Sequence, residues 1–590
     1  MKQFFKFMFA SMLGFLISVI ILFFVLIGML ASLASFSKKE VVQLKPQTVL
    51  HLTLSTEIVD RGGANPFDSF DPMSFQPKSA VGLNDLLKNL KKAKNDPNIE
   101  GIFLDLSLMQ AGWSTIDEVR QGLNDFKESG KFIVAYGETY TQNAYYLGSV
   151  ADKVYLHPEG VIDFRGLNSE LVFFKNMLDK LGIEPQVIRH GKFKSATEPF
   201  FLEKMSDENR EQVLAYVSSI WNNVLKDISD SRSLTINHLN DVANGFNTRN
   251  ASLALEWQMI DGIMHRDQVL DEIKDRLGHE KSGDIEFVVL NKFQNVPESK
   301  ENRSPRSRDK IAVVYGMGGI VSGEGAERSM GSDRIASAIR EARLDTTVKA
   351  IVFRINSPGG SALASDVILR EVKLASEVKP VIASMGDVAA SGGYYVACGA
   401  DMIVASPSTI TGSIGVFGLI PNMQNFFNQK LGITFDNVKT NEYADLMTVS
   451  RPLTRNERAM IQESVEQVYE TFIGHVAEGR GIPVHMVDSI GQGRVWSGAE
   501  AKQIGLVDEL GGLNFAIEKA AEKAGLENYR IVEYPTRKDF LTQIMEGFGG
   551  MQEVFVKRRM GEAYRYYEQV QNVNEMTGIL TRLPYDIVID

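Results

Sequence analysis

The longest apolar run in the chain spans residues 7–36, which carry no charge and lie between Lys2 and Lys6 on one side and Lys38 and Lys39 on the other. A run of that length exceeds both the ~20 residues needed to cross a bilayer and the ~7–15 of a cleaved leader's apolar core. It predicts a single-pass anchor over residues 1–40. Ser32-Leu33-Ala34 also offers a small-residue cleavage site, so a cleaved leader stays open as the second reading. The lysines balance across the run and leave its orientation unfixed.

Beyond the run the pattern changes to short apolar segments alternating with helical spacing. Residues 310–315, 349–354, 380–384 and 402–405 read as buried strands, with helices at 333–344 and 364–376 between them. That order argues for α/β units with parallel strand pairing. Residues 453–479 predict a long amphipathic helix.

The same units are written twice. Tyr145-Tyr146-Leu147-Gly148 with Ala151-Asp152 returns as Tyr394-Tyr395-Val396-Ala397 with Ala400-Asp401, an offset of 249. Leu181-Gly182-Ile183 returns as Leu431-Gly432-Ile433, offset 250, and Met259-Ile260-Asp261 as Leu506-Val507-Asp508, offset 247. Three matches in one order at near-constant offset predict a duplicated domain. The expected units are residues 48–297 and 310–535, with a charged linker at 298–309 and a C-terminal extension at 536–590. A further loop, residues 61–80, is rich in Gly, Pro, Ser and Asp. Residues 540–567 are rich in Met, Phe and Tyr; they could line an apolar enclosure or pack as an ordinary helix.

Composition narrows the function classes. The 590 residues exceed what one core serves, and 44% apolar with 23% charged residues is a globular balance. A net charge of −11 argues against a nucleic-acid partner, which needs a basic face. The single cysteine, Cys398, rules out an intrachain disulfide and a Cys-based zinc cage.

Two glycine-rich turns carry the candidate chemistry. Asn356-Ser357-Pro358-Gly359-Gly360-Ser361 follows a predicted strand and precedes a helix, where backbone amides can face developing negative charge. In Gly386-Asp387-Val388-Ala389-Ala390-Ser391-Gly392-Gly393 a strand gives way to a helix, which places a serine at the helix start. Each turn alone reads more readily as a tight turn with an N-capping serine.

Taken together, the two turns resemble the SppA-type signal peptide peptidases, also called protease IV. The segment Lys194-Ser195-Ala196-Thr197-Glu198-Pro199-Phe200 is similar to that family's lysine motif, with Phe193 in place of its usual tyrosine. The resemblance implies a crotonase-like or Clp-protease-like α/β fold present twice after the anchor. It implies Ser391 as nucleophile, Lys194 as general base, the amides of Gly359 and Gly392 as oxyanion hole, and Ser413 as the group that orients the lysine. It further implies signal peptides and other hydrophobic peptides as substrates and no metal or organic cofactor. A homotetramer in the bacterial inner membrane, with the catalytic region on the periplasmic side, completes the expectation.

Lysine is an unusual base, because at its reference pKa of about 10.4 it holds its proton. Burial among apolar groups such as Phe193, Phe200 and Phe201 lowers that value toward neutrality. A Ser-His-Asp triad through His190 is the alternative, since triad members need not be adjacent in sequence. The repeat offers an independent check. Ser391 maps back onto Gln142, Gly359-Gly360 onto Gln110-Ala111, and Lys194 forward onto Ala444. Each copy lacks what the other keeps. That predicts one site assembled across the copies, within a chain or between neighbouring chains, with the within-chain arrangement expected. Two rivals remain: a crotonase-fold acyl-CoA enzyme and an inactive membrane scaffold.

Overall fold

The computed structural model describes residues 2–36, 42–62, 70–71, 76–77, 80–297, 307–326, 328–536 and 578–583. Residues 298–306 of the expected linker, most of the 61–80 loop, Lys38, Lys39 and residues 540–567 lie outside them. The apolar run forms one helix, Lys2–Phe36, whose stretch Gln3–Phe24 has a mean hydropathy of 2.6 and no buried side chains. It is long and apolar enough to cross a membrane.

The rest is α/β, built on two parallel sheets of one design. The first orders its strands Gly262–Ile263, Lys153–Leu156, Phe132–Gly137, Ile99–Asp105, Thr48–Leu52 and Phe287–Val289. The second orders Glu509–Leu510, Met402–Ala405, Val381–Ala390, Val348–Ser357, Lys310–Met317 and Arg530–Tyr534. All neighbours in both runs are parallel. Strand by strand the two match, so the fold class is a tandem α/β duplication behind an apolar helix. The four strands expected from the second copy's apolar segments all form, and the helices run Ser332–Leu344 and Ala362–Ser376. The long amphipathic helix is Arg455–Arg480, opened by a capping box between Thr454 and Glu457.

The copies differ where it matters. In the second, Val381–Ala390 runs on past the length of its counterpart Phe132–Gly137 and pairs with an added strand, Ile410–Gly412. A third sheet then mixes the copies, in the order Met330–Gly331, Ile320–Val321, Gly359–Ser361, Gly578–Arg582, Val416–Asn422, Glu184–His190. The last of these belongs to the first copy. The strand Gly578–Arg582, from the expected C-terminal extension, is thus an integral strand of a sheet.

Between the copies lies a buried polar seam. Helix Trp113–Lys127 turns Thr115, Asp117 and Glu118 toward the second copy. Arg354, fully buried, donates at 2.6 Å to both Asp60 and Glu118, and Glu118 also accepts from the Leu513 amide at 2.6 Å. Thr115 donates through its amide and hydroxyl to Asp387, and Ser406 donates to Asp117 at 2.6 Å. Burial alone would push the Arg354 guanidinium down, and the two carboxylates hold it above its ordinary value. Removing one member strands the others without charge compensation. Arg354→Met is therefore expected to lower the free energy of unfolding by about 3–5 kcal/mol at pH 7, read by chemical denaturation. An unchanged unfolding midpoint would show that the seam contributes nothing to joining the copies.

Candidate active site

Ser391 stands where the extended strand Val381–Ala390 meets the short helix Gly392–Ala397. Its backbone has φ 55° and ψ −114°, a conformation that non-glycine residues rarely adopt. The bond from its amide to Gly412 O at 2.7 Å anchors that turn to the added strand. Although Ser391 is the N-cap residue, its side chain caps nothing. Its hydroxyl oxygen instead lies 2.9 Å from Lys194 Nζ, at hydrogen-bond distance.

Lys194 comes from the other copy. Strand Glu184–His190 pairs antiparallel with Val416–Asn422 over seven residue pairs, ending with His190 opposite Val416. A turn at residues 191–194 then drops the lysine into the centre, where it is 0% exposed. Its amine also donates to the hydroxyl and carbonyl oxygens of Ser413, both at 3.1 Å. Three oxygens surround the amine, and among the described residues no carboxylate pairs with it. Burial, with no counter-charge, holds its pKa well below 10.5. A neutral amine has two N–H bonds and one lone pair, so it can donate to Ser413 and accept the Ser391 proton.

Ser413 is fully buried with φ 50°, fixed by donation of its amide to Arg494 O at 2.7 Å. Gly359 has φ 96°, and a side chain there would come within 2.6 Å of Gly392 N and 2.2 Å of Thr581 O. The two glycines are thus brought together, with the Thr581 carbonyl of strand Gly578–Arg582 against both. All five residues singled out in the sequence gather around one point. His190 does not join them; its ring stacks on Tyr469 at 3.9 Å. Burial pushes the Cys398 thiol up to about 12, and it donates to Tyr395 O.

The corresponding place in the first copy is filled. Gln142 begins the helix Gln142–Gly148, and its side-chain oxygen accepts from the amides of Arg165 and Gly166 at 3.1 and 3.0 Å. Its nitrogen donates to Gly166 O at 3.1 Å. An amide side chain sits at the position where the second copy has the Ser391 hydroxyl. Ala444, the counterpart of Lys194, lies in an exposed turn.

Sequence reasoning missed three participants. Ser357 Oγ accepts from the Gly359 amide at 3.2 Å. Gly493, at φ 78°, lets its backbone approach within 2.6 Å of Lys194 N, Cα and Cβ, measured from where a side chain would begin. Gln212, on helix Asp207–Arg232, reaches the residues on either side of Lys194. Ser357 stands in the glycine turn read above and Gly493 in the Gly491-Gln492-Gly493 spacing, but nothing in sequence ties Gln212 to the lysine.

The chain resembles known proteins along both copies. The family model described as peptidase family S49 matches residues 125–280 and 373–527, one stretch holding Lys194 and the other Ser391. "Protease 4" of Salmonella typhi is 36% identical over 477 residues, covering 79% of this chain and 76% of that protein. "Serine protease SPPA, chloroplastic" of Arabidopsis thaliana is 34% identical over 517 residues, covering 86% and 74%. Among solved structures, a ClpP1 variant from Listeria monocytogenes matches at TM-score 0.24 and 16% identity, covering 35% of this chain and 94% of that one.

The buried amine has a consequence for stability that does not depend on activity. A lysine whose folded pKa lies below 10.5 binds fewer protons folded than unfolded, so stability rises with pH between the two values. Lys194→Met removes that penalty. The variant is expected to melt higher than wild type at pH 7, by about 1 °C for each kcal/mol relieved in a chain of this size. The gap should narrow as the pH approaches 10. A wild type as stable at pH 7 as at pH 10 relative to the variant would mean that the amine keeps its proton in the folded state.

Proposed function

Because the chain belongs to peptidase family S49 and is a serine peptidase, we propose that Ser391 is its nucleophile and Lys194 its general base. The observation that carries this is the 2.9 Å contact between Lys194 Nζ and Ser391 Oγ, in a place where burial lowers the pKa of the amine well below its ordinary value. Ser391 Oγ attacks the scissile carbonyl carbon while its proton passes to Lys194 Nζ. The tetrahedral oxyanion takes the amides of Gly359 and Gly392, the former giving up its 3.2 Å bond to Ser357 Oγ. As the intermediate collapses, the Lys194 ammonium returns the proton to the departing amine, leaving an ester on Ser391. Water, deprotonated by Lys194, then hydrolyses that ester. Ser413 holds the amine in line throughout. The unit 48–297 supplies the base and 310–535 the nucleophile, so each chain has one such centre.

Signal peptides left in a membrane are the proposed substrates. Beside the lysine loop, Ala196, Phe200, Phe417, Leu419 and Leu580 pack into a buried apolar cluster. The helix Lys2–Phe36 would hold the enzyme where such peptides are released, in a bacterial inner membrane with the catalytic units on the periplasmic side. The exposed apolar residues Leu431, Ile433, Phe435 and Val438 would be covered by neighbours in a homotetramer.

Cleavage of a synthetic signal peptide is expected to fall by at least about 10³-fold in Ser391→Ala and by about 10²–10⁴-fold in Lys194→Met, while Lys192→Ala stays near wild type. The base must be neutral, so kcat/KM should rise with pH through the folded pKa of Lys194 and level off well before 10.5. Full activity in Lys194→Met, or its loss in His190→Ala alone, would overturn the assignment of the base.

A further inference from the structure

A ring of hydrogen bonds leaves the amine of Lys194 and returns to its backbone. The amine donates to Ser413 Oγ and O. The Ser413 amide donates to Arg494 O at 2.7 Å. The other end of the same peptide plane, the Val495 N–H, donates to Gln212 Oε1 at 3.1 Å. Gln212 Nε2 then donates to Phe193 O at 3.1 Å and Ser195 Oγ at 2.9 Å, the two neighbours of Lys194. One side-chain amide thus joins the loop that bears the lysine to the strand that orients Ser413.

The orientation of that amide is not free. Only its oxygen can accept from Val495 N–H, so its nitrogen must face the lysine loop. Asn209 Oδ1 accepts from the same nitrogen at 3.1 Å, and Asn209 Nδ2 donates to the carboxylate of Glu198 at 2.9 Å. Glu198 also accepts from the Ser206 amide and hydroxyl. Glu198, Asn209 and Gln212 are at most 1% exposed. Water cannot stand in for a lost partner there without opening the site.

We propose that Gln212 is a positioning residue that sets the Lys194 amine against Ser391, with Glu198 and Asn209 fixing its rotamer. The proposal rests on the reading of Ser391 and Lys194 as a dyad. A side chain at this place with no role beyond packing would need shape alone. Gln212 instead spends all of its polar atoms on the two segments whose separation determines the distance from amine to hydroxyl. Loosening it frees the 193–195 loop and lets water reach the amine. Hydration relieves the burial that lowers the lysine's pKa, so that pKa must rise.

Gln212→Met keeps the length of the side chain and removes its hydrogen bonds. The expected result is a 10–100-fold fall in kcat with KM within about threefold, since displacement by about 1 Å is worth that much in a reacting pair. The acid limb of the pH–rate profile should move to higher pH, with part of the loss recovered there. Val213→Ala, a buried apolar truncation on the same helix, controls for stability and should leave both kcat and the acid limb in place. Unchanged kcat and acid limb in Gln212→Met would overturn the proposal, as would equal effects in Val213→Ala. A crystal structure of Gln212→Met gives a readout that needs no activity: the amine should no longer lie within hydrogen-bond reach of Ser391 Oγ. A retained 2.9 Å contact would sink the positioning role. If Ser391→Ala and Lys194→Met were both active, the dyad reading would fail instead, and the crystallographic result would still decide the role of Gln212.

Discussion

Seven residue pairs between Glu184–His190 and Val416–Asn422 carry a lysine from one copy of the fold to a serine in the other. The register of that pairing is the constraint on which the active centre depends. A slip of one residue would move the lysine turn by about 3.3 Å and exchange the two faces of the strand. The faces are unlike: Ile188 enters the core of the second copy, whereas Val187 packs toward Phe417 and Leu419. Two side-chain bonds pin the far end, Asn422 to Glu184 at 2.9 Å and the Leu453 amide to Gln186 at 2.7 Å. The buried seam around Arg354 then fixes the sheets on which both partners ride.

The lowered pKa of Lys194 follows from its placement alone, through burial without a counter-charge. No carboxylate is needed to tune it, and one nearby would raise its pKa and defeat its use as a base. The hydroxyl and carbonyl of Ser413 both lie 3.1 Å from the amine, and the close backbone approach at Gly493 leaves the lysine loop little room to shift. Duplication explains how such a site arises. Each copy keeps the strand order of the other, yet Gln142 fills the first copy's centre with an amide side chain held by two backbone N–H groups.

The architecture was legible in the sequence because it is written in periodicity: buried strands between amphipathic helices, repeated at an offset near 249. The turns around Ser391, Gly359 and Gly392 stood out because glycine turns between strand and helix have a local signature, but the roles expected of them came from the family resemblance. Lys194 and Ser413 needed a family resemblance, since nothing local separates Lys194 from Lys192. The sheet that joins the copies was not readable. Strand Gly578–Arg582 inserts between segments about 160 and 220 residues earlier in the chain, and no local pattern announces such a partner. Gln212 and Gly493 were hidden for the same reason: their roles exist only once residues 193, 413 and 494 meet.

On the proposed reading, the halves of a single chain complete one another's active site. The most direct measurement mixes purified Ser391→Ala with purified Lys194→Ala, allows subunits to exchange, and assays cleavage of a signal peptide. Each variant lacks one partner, and a site formed within each chain cannot be repaired by a neighbour. Continued silence of the mixture, with full activity in a wild-type control carried through the same exchange, is the predicted result. Activity regained on mixing would contradict it, because the lysine would then reach the serine of another chain.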